Sequence, residues 1–266
     1  MKRLPAIFVS HGGGPWPYIE EMRRAFAGSE REFTRLPSRL PERPKAILSI
    51  SGHWEEEEFT VATASRPPLI YDYSGFPEHT YHVQYPAPGS PELAARVSSL
   101  LGTHGLKSSK DPAHGFDHGT FVPLGLMYPN AEIPVVSLSM KSSYDPEEHL
   151  RMGQALQPLR DEGVLIFGSG LTYHNLRKFG PDGSKVSEEF GDWLTEAVVT
   201  PDSEKRDRDL KNWTRGPQAR LAHPREDHLI PLMVAAGAAG KEPGRVLFTD
   251  RFNGIKMWSY SFGDIT

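Results

Sequence analysis

The sequence predicts one α/β domain spanning residues 1–266, with a central, mainly parallel sheet flanked by helices. Short apolar runs rich in β-branched residues alternate along the chain with amphipathic segments of helical periodicity. This alternation is typical of a parallel sheet covered by helices on its faces. The sequence holds no internal repeat and no low-complexity tract, so we expect a single domain.

Six apolar runs are predicted to form strands. Each run is short, and several are bounded by glycine or proline, which interrupt regular structure. In chain order the runs are AIFVS (6–10), AILSISGHW (46–54), FTVATA (59–64), IPVVSLSM (133–140), VLIFGSG (164–170) and RVLFTD (245–250).

The amphipathic segments between these runs are predicted to form helices. Ser90 and Asp145 are expected to cap two of them, because each is followed by a proline that suits the first helical position. The polar stretch 201–216 is expected to form a solvated helix or a lid. The other predicted helices lie in residues 18–36, 90–101 and 145–163 and in a segment that starts near Pro224.

Composition excludes several classes of partner. A net charge of −4 and a pI near 6.3 offer no basic surface for nucleic acid. No apolar run is long enough to span a membrane and no secretory signal is recognisable, so we expect a soluble, cytoplasmic protein. The sequence has no cysteine, so nitrogen and oxygen atoms would have to hold any metal ion.

Three of the eleven histidines stand at or just beyond the ends of predicted strands. These are His11, His53 and His174. Ligands of open α/β sheets bind beyond the carboxyl ends of the strands, so we expect these side chains to share one site. His228 is expected in the first turn of the helix that starts near Pro224. Neutral imidazole is the commonest protein ligand of metals, and the pattern therefore predicts a metal site at the strand ends.

Glycines flank these histidines. Gly12 and Gly13 directly follow His11, and we expect them to let a substrate approach the backbone there. The HGGG run also occurs in esterase oxyanion holes, but the chain lacks the G-x-S-x-G motif of the matching nucleophile. Neither a dinucleotide-binding glycine motif nor a P-loop is present.

Seven motifs follow one another along nearly the whole chain. They are VSHGGGP (9–15), SGHW (51–54), YPAPGSPELA (85–94), DHGTFVPLGLMYP (117–129), PVVSLSM (134–140), GSGLTYHNL (168–176) and HPREDHLIPLMVAAGAA (223–239). In this order they closely resemble the class III extradiol ring-cleavage dioxygenases, specifically the DOPA-dioxygenase-like branch. The resemblance implies a single α/β domain with one metal centre at the edge of the sheet.

The resemblance also implies a role for individual histidines. His11 and His53 match the first two metal ligands of the family. His228 matches the third ligand, a position that is glutamate elsewhere in the superfamily. His174 matches the active-site acid/base and could also serve as a fourth ligand. His118 resembles a histidine that faces the substrate, and it is the next candidate for the base.

The implied reaction is the metal-dependent extradiol opening of a DOPA-like catechol by O₂. Fe(II) would be the active metal, no organic cofactor is needed, and Zn²⁺ also suits an all-histidine site. His223 is expected to line the substrate pocket together with Gly12 and Gly13. A zinc-dependent hydrolase and a non-enzymatic metal-pocket binding protein of the same fold are the alternatives. The protein could be a monomer or a homodimer.

Two further histidines are expected to have no role in the site. His149 is predicted on a solvated helix face beside Glu147 and Glu148. His104 is predicted near a helix end, where a cation suits the helix dipole.

Overall fold

The strand-forming runs assemble mainly into one six-stranded sheet. The computed structural model describes residues 2–266. Its strands are β1 (Ala6–Ser10), β2 (Ala46–Ser51), β3 (Glu55–Glu56), β4 (Phe59–Ala62), β5 (Ser108–Asp111), β6 (Val135–Ser137), β7 (Met140–Lys141), β8 (Val164–Gly170), β9 (Gly244–Phe252) and β10 (Ile255–Phe262).

Helices cover this sheet. They are α1 (Glu20–Ala25), α2 (Ala27–Arg39), α3 (Pro91–Thr103), α4 (His118–Met127), α5 (Pro146–Leu156), α6 (Pro181–Val199), α7 (Ser203–Lys211), α8 (Ala219–Ala222) and α9 (Ile230–Ala239). Among residues 2–266, none of them combines the length and the apolar character that crossing a membrane requires.

The main sheet has the strand order β6-β2-β8-β1-β10-β9. Its first four strands run parallel, and β10 and β9 extend it with antiparallel pairs. The predicted α/β fold with a mainly parallel sheet is confirmed. The prediction missed β10, although Asn253 and Gly254 mark the hairpin before it. Both residues have positive φ, at 48° and 86°, as a two-residue hairpin turn requires.

The register of the parallel strands brings their carboxyl ends to one edge. Ser10 at the end of β1 lies opposite Gly170 at the end of β8. Ser51 at the end of β2 lies opposite Ser169. Residues that follow these three strands therefore leave the sheet at the same place, which is where the strand-end histidines stand.

Local capping follows the predictions. The Ser90 side chain accepts a hydrogen bond of 3.1 Å from the Leu93 amide at the start of α3. Asp145 caps α5 by accepting hydrogen bonds from two backbone amides of its first turn.

The helix predicted over residues 18–36 is divided into α1 and α2, because Phe26 leaves the helical conformation (φ −102°, ψ 22°) and buries its ring against Trp16.

Helix α9 is buried along its whole length and lies against β8, β1 and α5. Glycines make the contact with α5 close. A methyl group at Gly153 of α5 would overlap the Val234 carbonyl oxygen, and one at Gly237 of α9 would overlap the Leu150 carbonyl oxygen. His228 lies two residues before the start of α9. The packing of α9 therefore also positions His228 within the histidine cluster.

Three expectations from the sequence need correction. His149 is fully buried rather than solvated, with its Nε2 accepting a hydrogen bond of 3.1 Å from the Lys141 amide. His228 precedes α9 instead of lying in its first turn. Helix α7 is largely solvated but buries Arg206, whose guanidinium donates to the Gly240 and Glu242 carbonyl oxygens. For His149 and Arg206, segments outside the helix supply cover that local periodicity does not reveal.

We expect His149 to make the protein acid-sensitive. Burial lowers its pKa to about 4. The unfolded chain therefore binds more protons between about pH 4 and pH 6.5, and stability falls as the pH drops through this window, by on the order of 3 kcal/mol in full. A His149→Gln variant, which keeps a hydrogen-bond acceptor, should show a smaller loss of unfolding free energy in urea titrations from neutral pH to about pH 4.5. An unchanged pH dependence would contradict this expectation.

Candidate metal centre

The histidines predicted at the strand ends meet at the carboxyl edge of the sheet. His11 follows β1, is buried, and donates its backbone amide to the Gly170 carbonyl oxygen at 3.0 Å. The His53 ring lies 5.1 Å from the His11 ring, centroid to centroid. The His228 ring lies 5.3 Å from His11 and 4.6 Å from His53. Residues far apart in the chain thus place three imidazoles around one point.

His53 and His228 turn ring nitrogens towards each other. Their Nε2 atoms are 3.1 Å apart. Two histidines bound to one metal ion at 2.0–2.1 Å hold their ligand nitrogens about 2.9–3.4 Å apart in octahedral or tetrahedral geometry. The separation is the one that a shared metal ion requires.

Two aspartates face the opposite nitrogens of these rings. Asp72 Oδ2 lies 3.2 Å from His53 Nδ1, and Asp227 Oδ2 lies 3.0 Å from His228 Nδ1. Each carboxylate favours a proton on the Nδ1 atom that it faces, although His228 Nδ1 makes no hydrogen bond within residues 2–266, and this tautomer leaves Nε2 free to bind a metal ion. Carboxylates in this position orient a ligand and increase its basicity.

His11 supplies the clearest sign that a cation belongs here. Both of its ring nitrogens are buried and lack a hydrogen-bond partner within residues 2–266. Burial, followed by the nearby histidines, lowers the pKa of His11 well below 6.5. Burial also lowers the pKa of His53, and it lowers that of His228 to about 4. Buried neutral imidazoles without partners are costly, and a metal ion satisfies them.

His118 and His174 extend the cluster. His118 begins α4, with its ring centroid 4.0 Å from that of His53 and its Nδ1 2.9 Å from Asp72 Oδ1. His174 stacks on His228 with centroids 3.5 Å apart, and its Nδ1 lies 3.4 Å from Asp227 Oδ1. Each aspartate therefore contacts two histidines.

The ligand atoms form two adjoining groups. Those of His11, His53 and His118 lie within 4.8 Å of one another, and so do those of His174, Asp227 and His228. The close His53–His228 contact joins the two groups. The sequence predicted His11, His53, His228 and His174 as one set of ligands, whereas the structure places His118 beside the first two and His174 beside the third.

The aspartates change the expected electrostatics of the site. The all-histidine ligand set that the family resemblance implies carries one more positive charge than a set that includes a carboxylate. Burial acts to raise the pKa of Asp72, but its hydrogen bonds with His118 outweigh this and lower the pKa overall. The pKa of Asp227 is also lowered, because contacts with His174 and His228 outweigh its burial. Both carboxylates are charged near neutral pH and offset part of the metal charge.

A cavity of about 430 Å³ opens onto the histidines, and Gly12 and Gly13 line it. Gly12 has a φ of +86°, and a methyl group there would lie 2.6 Å from Trp16 Nε1. That indole N–H donates to the His11 carbonyl oxygen at 2.8 Å. A methyl group at Gly13 would meet no atom within 4 Å. Gly12 therefore permits the turn that orients His11, and Gly13 leaves open space beside it.

His223 lies outside this cavity, which corrects its expected place in the substrate pocket. Its ring is fully buried, with Nε2 3.0 Å from the Thr172 carbonyl oxygen and with Phe190 and Trp213 packed around it. Burial lowers its pKa to about 3. The neighbouring Ala222 carbonyl accepts the His174 amide at 2.9 Å, so this segment supports the backbone of His174.

Neither Asp72 nor Asp227 is among the residues that the sequence predicts for the site. Asp227 directly precedes His228 in the segment where a helix is predicted to start. Asp72 stands in a long loop with no recognisable pattern. The adjacency of Asp227 to His228 is the one local signal that could have identified it, because carboxylates often hold ligating histidines.

An Asp72→Asn variant is expected to bind metal about 10–100-fold more weakly, because a neutral amide holds His53 and His118 less firmly. Competition with a chromogenic chelator measures the affinity. Asp192→Asn on the exposed face of α6 is the matched control and should leave the affinity unchanged. Equal affinities for both variants would show that Asp72 does not support the ligands.

Comparisons with known proteins agree with this site. A family model described as the catalytic LigB subunit of aromatic ring-opening dioxygenase matches residues 5–263. A 4,5-DOPA dioxygenase extradiol of Beta vulgaris is 41% identical over 264 residues, which cover 96% of this chain and 95% of that protein. The protein of the same name from Escherichia coli strain K12 is 37% identical over 264 residues, covering 97% and 93%.

Two further comparisons cover the chain almost completely. A fungal protein, dioxygenase tasH of Hapsidospora irregularis, is 37% identical over 289 residues, covering 99% of this chain and 86% of that protein. The crystal structure of an uncharacterized protein from Escherichia coli K12 superposes with a TM-score of 0.79 at 31% identity, covering 98% of this chain and 100% of the other. With its histidine cluster at the sheet edge, the chain belongs to the LigB family of aromatic ring-opening dioxygenases and is an extradiol ring-cleaving enzyme.

Proposed function

We propose that this protein opens a catechol ring in the extradiol position with O₂, using Fe(II) held by His11, His53 and His228. The observation that carries the proposal is the largely buried histidine cluster facing a cavity of about 430 Å³, a volume suited to a small aromatic molecule. Several relatives are named 4,5-DOPA dioxygenases, which makes DOPA the first catechol to test.

The direction of the ring nitrogens supports this ligand assignment. His53 and His228 hold their Nδ1 atoms against aspartates, and their Nε2 atoms approach each other. His11 contributes a buried ring with no competing partner within residues 2–266. Bound Fe(II) would supply a Lewis acid for the catechol oxygens and a redox centre for O₂.

We assign proton transfer to His118 and His174. In His118 the Nδ1 atom contacts Asp72, so Nε2 is the atom that can accept the proton of a catechol hydroxyl. The Asp72 carboxylate then stabilises the imidazolium that forms, and the same nitrogen can return the proton later. His174 has the equivalent arrangement with Asp227 at the longer distance of 3.4 Å.

Oxygen uptake tests the proposal. Protein loaded anaerobically with Fe(II) is expected to consume O₂ when given DOPA or simpler catechols and to form a yellow ring-opened product. The zinc-loaded protein is the control and should consume none. Absence of uptake by fully Fe(II)-loaded protein across the catechols would contradict the proposal and favour zinc-dependent hydrolysis by the same histidines.

We also propose that the protein acts in the cytoplasm as a monomer or a homodimer, with a catechol and O₂ as its partners and neither nucleic acid nor membrane among them. Its charge of −4 supports the exclusion of nucleic acid. Light scattering of the purified protein distinguishes the two assemblies.

A further inference from the structure

The cavity wall beyond the histidines is apolar. It is formed largely by the side chains of Phe26, Phe76, Leu171, Leu176, Phe179 and Phe252. Tyr73 also lines it, but its hydroxyl already donates to the Thr80 carbonyl oxygen at 2.6 Å. The phenol therefore offers its ring rather than a free hydroxyl to a substrate.

No lysine or arginine of the described chain lines this cavity. Arg177 and Lys178 lie just beyond Leu176 and belong to a neighbouring groove on the other side of that side chain. The one acidic lining residue, Asp72, is engaged with His53 and His118. An amino-acid substituent on a catechol would therefore meet aromatic rings where its carboxylate and ammonium groups need charged or hydrogen-bonding partners.

We propose that the cavity selects catechols whose ring substituent is uncharged and apolar over catechols with an amino-acid side chain. This inference rests on the proposed catechol cleavage and names the substrate class within it. Charged groups lose their hydration against an apolar wall without compensation. Each buried methylene instead strengthens binding about 4-fold.

Four catechols with short substituents at the same ring position test the inference. The substituent of 4-propylcatechol is uncharged, that of dopamine is a cation, and that of 3-(3,4-dihydroxyphenyl)propionate is an anion. DOPA carries both a cation and an anion. We expect kcat/KM of the Fe(II) enzyme to be at least about 10-fold higher for 4-propylcatechol than for the other three. Calorimetric dissociation constants for the zinc-loaded protein should follow the same order without any turnover.

Other rankings would overturn the inference. Preference for DOPA or the propionate would mean that the backbone amides of Gly12–Gly14 or the cations beyond Leu176 bind a carboxylate. Preference for dopamine would mean that the aromatic wall binds an ammonium group through its ring faces. If no catechol is cleaved, the proposed function fails, but the calorimetric ranking still decides the inference.

A charge placed on the cavity wall gives a second test. Leu176 is 71% exposed, so Leu176→Arg should fold normally and bring a cation to the cavity. We expect it to raise kcat/KM for the propionate, relative to 4-propylcatechol, about 10-fold. Leu221→Arg is the matched control, because Leu221 is 44% exposed and lines only the neighbouring groove. Equal changes in both variants would attribute the effect to overall charge and contradict selection by the wall.

Discussion

A His11→Ala variant is expected to lose its stoichiometric metal and on the order of 1,000-fold in catechol cleavage. We assign three imidazoles to the metal, and that of His11 is one of them. Without it, two imidazoles remain, and one side of the ion has no protein ligand. The fold should persist, because the side chain makes no hydrogen bond within residues 2–266 and the backbone amide that binds Gly170 is unchanged. Metal analysis measures the bound metal, oxygen uptake measures catechol cleavage, and thermal unfolding measures whether the fold persists.

Variants of the neighbouring histidines separate ligands from proton carriers. His118→Asn and His174→Asn should keep their metal and lose turnover, whereas His53→Ala and His228→Ala should lose the metal as His11→Ala does. Full metal occupancy in His11→Ala would remove it from the ligand set. Loss of metal in His118→Asn would place this histidine in the first group of ligands with His11 and His53, as their mutual distances allow.

Replacing Gly153 by alanine is expected to destabilise the protein by about 3 kcal/mol. The added methyl group would overlap the Val234 carbonyl oxygen and lie 2.9 Å from Gly237 Cα in α9. Both obstacles are backbone atoms of a buried helix, so no side-chain rotation relieves the contact. The helices must separate instead, and α5 would move outward from α9 and lose part of its packing against it. Urea denaturation followed by circular dichroism measures the change.

Gly102→Ala provides the matched control within a helix. A methyl group at this position of α3 would meet no atom within 4 Å. Alanine is favoured over glycine inside a helix, so this variant should be more stable by about 0.5–1 kcal/mol. If Gly153→Ala behaved in the same way, α5 and α9 would be farther apart than described here, and the position of His228 would need another support.

The sequence by itself determined the fold class, most strands and the histidines at their ends. These features are encoded locally: apolar runs between breakers form strands, Ser90 and Asp145 cap helices through amides only two or three residues away, and His11 and His53 directly follow strands. The Asn253–Gly254 pair before β10 is also a local signal, because it is typical of a two-residue hairpin turn.

Only the tertiary structure decided what surrounds those histidines. Asp72 contacts His53 and His118, Asp227 contacts His174, and His149 is covered by segments distant in the chain. Periodicity reports which face of an element is buried but not which loop comes to lie against it. Apart from the contact between the adjacent residues Asp227 and His228, the contacts that tune the metal centre form between segments that only the assembled fold brings together, and for that reason no local pattern in the sequence predicts them.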